Sequence, residues 1–133
     1  MAVPFTTATI IINGMRDCKK RAPFFLWLKS LTFDIIFIQE THCSKSDIEQ
    51  WSIEWDGHAL WSPGTRQSKG VAVLFNFKYD YSTTGEIIDL NGRYIYFDLK
   101  IKEDVFTLAN IYAPNNPVTR TVFFKKAKRK MHC

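Results

Sequence analysis

The chain has 133 residues, 46% of them hydrophobic and 23% charged, with a formal net charge of +5. That balance excludes a disordered polar chain and allows one domain with a real core. No apolar run approaches the roughly 18 residues of a membrane span, and Met1-Ala2-Val3-Pro4 lacks the parts of a secretory signal. Three cysteines without metal-ligand spacing suit a reducing intracellular compartment, nucleus or cytoplasm. The positive charge favours polyanionic partners, but it is unevenly spread. Lys125, Lys126, Lys128, Arg129 and Lys130 place five positives within six residues, leaving the body near neutral. Residues 125–133 therefore read either as a phosphate-binding or nuclear-import segment or as a solvated, disordered tail.

Thr7 to Ile12 is β-rich and ends at the turn signal Asn13-Gly14, which predicts a first strand. Phe24, Trp27, Leu28 and Leu31 fall at helical spacing, with Pro23 expected in the first turn, where a missing N–H costs nothing. Lys19, Lys20 and Arg21 would then precede that helix, as a solvated loop or a surface for phosphate. Asp34 to His42 reads D-I-I-F-I-Q-E-T-H, a continuous apolar run ending on a carboxylate. Such runs mark strands buried on both faces, and chemistry in sheet-built enzymes gathers where strands hand over to loops.

Ser44 and Asp47 form a weak capping pattern before a short helix, and Trp51, Trp55 and Trp61 are expected to pack one segment on the sheet. Ser62-Pro63-Gly64 reads as a turn, and Val71 to Phe77 as a strand. Tyr94 to Ile101 alternates, placing Ile95, Phe97, Leu99 and Ile101 on one face. Lys102-Glu103-Asp104 turns it back into Val105 to Tyr112.

Several of these segments resemble the endonuclease/exonuclease/phosphatase superfamily, and specifically the endonuclease domains of LINE-type retrotransposons. The Q-E-T-H ending resembles their metal-site motif, and Asn13-Gly14-Met15-Arg16 the start of their first helix. Gly70-Val71-Ala72-Val73-Leu74-Phe75 and Gly92-Arg93-Tyr94 resemble the starts of two strands. Asn110-Ile111-Tyr112-Ala113-Pro114-Asn115 is similar nearly letter for letter to a fifth motif.

The resemblance covers residues 1–124 and implies an α/β fold, part of a four-layer α/β sandwich of the DNase I-like kind. Roughly its first sheet is expected here, with one or two covering helices. Ile35–Gln39, Val71–Phe77, Ile95–Leu99 and Phe106–Ile111 would be adjacent strands, and the sheet's inner face would lack its partner.

The resemblance also implies roles. Glu40 would hold Mg²⁺, and Tyr112 would hydrogen-bond the substrate phosphate from the same edge of the sheet. DNA is the implied partner, through the basic tail and Lys19, Lys20 and Arg21. Departures from the pattern argue against activity. Ile11 stands where the family carries a catalytic Asn, and the G-D-F-N and S-D-H motifs are not in the sequence. His42 reads as a loop residue, and His132 lacks the preceding Ser-Asp. The expectation is a truncated endonuclease-like domain, inactive alone. Its rivals are a non-enzymatic nucleic-acid-binding remnant and a non-functional product of a decayed element.

Overall fold

A computed structural model describes residues 5–113. The basic tail, the boundary at residue 124, and Pro114 and Asn115 of the last motif lie outside the described residues. The elements run β1 (Thr7–Ile11), α1 (Cys18–Ser30), β2 (Ile35–Gln39), a 3₁₀ turn (Lys45–Asp47), α2 (Ile48–Trp55), β3 (Ala59–Ser62), β4 (Val71–Phe75), β5 (Ser82–Ile88), β6 (Tyr94–Ile101) and β7 (Asp104–Ile111). They build two sheets, ordered β1-β2-β4-β3 and β5-β6-β7. β1 runs parallel to β2, with α1 as the crossover, and every other pairing is antiparallel.

The side-chain period of a strand sorts the core into two layers. Ile36, Ile38, Ala72 and Leu74 face the helices, packing with Met15, Phe25, Leu28, Trp51, Trp55 and Trp61. Ile35, Phe37, Val71, Val73 and Phe75 face the second sheet and meet Ile95, Phe97, Leu99 and Ile101. Ile35, Ile36 and Ile38 and the first four residues of β4 are wholly buried. Both strands are sandwiched, which is why each reads as an unbroken apolar run.

The α/β class, the helices and the partial sandwich are as expected, but the distribution of strands is not. The four segments expected side by side divide between two sheets: β2 and β4 lie in one, β6 and β7 in the other. The inner face of the first sheet is therefore covered by this chain itself. Burial on that scale, at about 1.5–3 kcal/mol for each large side chain, is what couples the sheets. The alternation in β6 was legible, but alternation names a buried face without naming the layer it meets. β3 and β5 also escaped the sequence reading. β5 carries Gly85 and a register shift between Thr84 and Ile87, which break its periodicity.

α1 begins a turn earlier than its apolar spacing suggests. The Asp17 carboxylate accepts from the Lys19 backbone N–H at 2.9 Å and caps the helix, so Pro23 falls inside it. Pro23 has no N–H for the Lys19 carbonyl, and Phe25 and Leu28, both buried, hold the helix on the sheet instead.

This start also changes the role of Arg21, whose side chain is buried and cannot serve a DNA surface. It forms two bonds with the Glu54 carboxylate, at 2.6 and 3.0 Å, and donates to the Met15 and Arg16 carbonyls at 3.1 and 2.9 Å. Its guanidinium lies 4.6 Å from the centre of the Trp51 ring. Lys19 and Lys20 remain exposed, with Lys20 Nζ donating to the Gly14 carbonyl at 3.1 Å. Among the described residues no helix is long and apolar enough to cross a membrane.

Candidate active site

Glu40 follows the last residue of β2 and takes the left-handed backbone conformation, with φ of 60°. A glutamate adopts that region at a cost of about 1–3 kcal/mol, so the surroundings must hold it there. They do so from both sides. Gly14 N–H donates to the Glu40 carbonyl at 2.6 Å, and Met15 N–H to that of Thr41 at 3.1 Å. From the other flank, Thr41 and His42 donate to the carbonyls of Gly70 and Lys69 at 3.0 and 2.9 Å.

The glycines of the motifs make this turn possible. A Cβ on Gly70 would lie 2.3 Å from Thr41 Oγ1, and one on Gly14 would lie 2.6 Å from His42 Nδ1. Both glycines also have positive φ, +94° and +91°. Two segments far apart in sequence thus close on the Q-E-T-H turn, and each approaches it through a glycine.

Arg16 adds a side-chain clasp. It donates to the His42 carbonyl at 3.2 Å and forms an ion pair with Asp47. The same carboxylate accepts from the Ser44 backbone N–H at 2.9 Å and the Ser44 hydroxyl at 2.6 Å, the capping interaction hinted at by sequence. Burial raises the Asp47 pKa and is the largest single influence. The bonds from Arg16 and Ser44, with the Arg16 charge, together outweigh it and hold the carboxyl at about 2.

Tyr112 reaches this turn from the second sheet. Its backbone N–H donates to the Arg93 carbonyl at 2.7 Å, and its hydroxyl comes close enough to the Glu40 carboxylate for the two to interact. Burial and then the Glu40 carboxylate raise the phenol pKa, while Arg93 opposes them. His42 Nε2 lies 3.6 Å from Glu40 Oε2. Glu40, Tyr112 and His42 therefore come together at one end of both sheets, the convergence that the family resemblance implied for the first two. Burial also pushes the nearby Cys43 thiol up to about 12, so it stays a neutral core group.

Asn110 is the residue whose importance was not read from the sequence. It is buried, yet its amide donates to the Ile38 and Ala72 carbonyls at 3.1 and 2.8 Å and accepts from Gln39 Nε2 at 3.0 Å. It pins the second sheet to the first, one residue pair away from Glu40 and Tyr112. Its motif marked it, but an asparagine near a strand end has local turn roles that explain it equally well.

Ile11 pairs with Gln39 across the parallel β1–β2 ladder, so it stands on the same face as the Gln39–Asn110 bond. It is 63% exposed, an apolar side chain at the side of the cleft. Asn13 is exposed in a left-handed turn, with φ of 53°.

Among the described residues no three His, Cys, Asp or Glu side chains converge on one point. A hard divalent cation nonetheless accepts one or two carboxylates with waters and a substrate phosphate completing its shell. Glu40, part-exposed at the mouth, fits one such position.

No protein-family model matches the chain. In sequence it is 25% identical over 124 residues to a Xenopus laevis transposon TX1 uncharacterised 149 kDa protein, covering 93% of this chain and 10% of that protein. In structure it is similar to the AP endonuclease LMAP of Leishmania major, with a TM-score of 0.69 at 16% identity, covering 96% of this chain and 46% of that one. A second solved structure, the endonuclease domain of TRAS1, a telomere-specific non-LTR retrotransposon, is found at a TM-score of 0.49 and 12% identity, with 96% and 54% covered. The chain thus spans a tenth of the transposon protein and under half of the AP endonuclease. Its fold is a partial DNase I-like sandwich and its sequence similarity is to a transposon protein, which together bear out the resemblance to LINE-type endonuclease domains.

Proposed function

We propose that the chain carries the Glu40–Tyr112 part of a Mg²⁺-dependent phosphodiester-hydrolysing site, and that alone it engages DNA without cleaving it. The observation that carries this reading is the meeting of the Glu40 carboxylate with the Tyr112 hydroxyl at one end of both sheets. Glu40 would hold the cation, which when bound supplies positive charge for a phosphate and orients it. Tyr112 would release Glu40 and donate its hydroxyl to a phosphate oxygen.

Two features support the absence of cleavage. Among the described residues the site holds one carboxylate, which cannot hold the cation, activate water and stabilise a leaving group together, and such groups act as a unit. Ile11 offers the cleft no polar atom where the resembling family carries Asn. The binding reading is tested by magnesium titration of the isotope-labelled chain. Shifts centred on the amides of Glu40 to His42 and Tyr112, lost in Glu40→Gln, are expected. Shifts confined to other carboxylates would remove Glu40 from the metal role.

A further inference from the structure

Arg93 stands just before β6, half-buried, in a motif that the site described so far leaves without a task. The two arginines of the helix layer already have carboxylates, Arg16 with Asp47 and Arg21 with Glu54. Arg93 has no ion pair among the described residues.

Its backbone, by contrast, is fixed at the cleft. Arg93 N–H donates to the Asp89 carboxylate at 3.0 Å, and its carbonyl accepts from Tyr112 N–H at 2.7 Å. The preceding Gly92 carbonyl accepts from Gly70 N–H at 3.1 Å, and Gly70 in turn holds Thr41. Tyr94 pairs with Ile111 in the β6–β7 ladder, and the Tyr112 N–H bond to Arg93 continues that register, so Arg93 stands directly across from Tyr112 with both side chains leaving the same face. A half-buried cation loses hydration without regaining it from a carboxylate, and an anion arriving at the cleft would restore the balance.

We propose that Arg93 is a phosphate-binding residue of this cleft, its planar fork donating to one oxygen of a DNA phosphodiester while Tyr112 meets another. The inference rests on the nucleic-acid reading above and extends it to a contact that needs no metal. Guanidinium suits the task because its donors are rigidly spaced for paired oxygens, and because it stays charged at any working pH.

The test uses the full chain and a short fluorescent DNA duplex in EDTA, followed by anisotropy between about 50 and 200 mM salt. Arg93→Ala is compared with Lys100→Ala, which removes an exposed charge from β6 away from the cleft. Arg93→Gln replaces Arg93→Ala should the latter melt early. The expected result is a loss of about five- to tenfold in affinity and a salt slope shallower by about one for the Arg93 variant. Lys100→Ala should stay near wild type, and Arg93→Lys should keep the slope while losing affinity. If wild type binds and the Arg93 and Lys100 variants behave alike, Arg93 is not a phosphate ligand and the broader reading stands. If wild type itself does not bind the duplex, both fall together.

Discussion

Gln39 Nε2 donates to Asn110 Oδ1 at 3.0 Å across 71 residues of sequence, and each residue is a near neighbour of one half of the site. Gln39 precedes Glu40, and Asn110 lies two before Tyr112. The bond joins the two sheets at the point where Glu40 and Tyr112, the proposed site residues, emerge, so their convergence is built into the core beneath them.

Replacing Asn110 should therefore weaken the whole domain. Asn110→Ala strips donors from the Ile38 and Ala72 carbonyls and an acceptor from Gln39, all in a buried interface. A buried group left unsatisfied costs about 1–3 kcal/mol, so a loss of roughly 2–4 kcal/mol is expected in urea denaturation. A loss below about 0.5 kcal/mol would mean that water replaces the amide freely and the bridge is not structural.

Gly70→Ala tests the turn that presents Glu40. The added methyl meets Thr41 Oγ1 and forces alanine to a φ of +94°. Destabilisation of about 1–3 kcal/mol is expected, with amide shifts concentrated at Thr41 and His42. Unchanged stability would show that the Q-E-T-H turn has room that the packing denies.

Acid stability should report Asp47. Its carboxyl is held at about 2 in the folded chain against an ordinary 3.8. A depressed carboxyl contributes stability that is present above the ordinary value and is lost as pH falls through the folded one. The midpoint of thermal unfolding should accordingly drop between about pH 4 and 2 more steeply in wild type than in Asp47→Asn. Parallel curves would remove the Arg16–Asp47 clasp from the stability of the site.

Tyr112 supplies a spectroscopic probe of the convergence itself. The phenol titrates above its ordinary range through burial and then Glu40, with Arg93 pulling the other way. Absorbance titration, with Tyr112→Phe used to assign the signal, should show the Tyr112 pKa fall in Glu40→Gln and rise in Arg93→Ala. If neither variant moves it, the three side chains do not share a cleft in solution.

How far the sequence led differs between fold and site. β2, β4 and β6 were legible because burial on one or both faces writes itself into apolar runs and alternation. Glu40 and Tyr112 were found by motif, and their meeting followed from what two groups on one phosphate must do. The division into two sheets was not legible, because Phe97 alternating with Asp98 shows a buried face but not its partner. The role of Arg21 was hidden as well. Its partner Glu54 lies 33 residues on, and nothing local to a basic run distinguishes a buried ion pair from a solvated face. Asp17 as helix cap explains both that error and the shifted start of α1.

Glu40 and Tyr112 are proposed as part of a cleavage site that does not act alone. Supercoiled plasmid incubated with Mg²⁺ and the purified chain measures this most directly. Wild type and Glu40→Ala should nick it equally, at background, and Asn restored at position 11 should not change that. Mg²⁺-dependent nicking by wild type that disappears in Glu40→Ala would contradict the account, because the residues present would then suffice for catalysis.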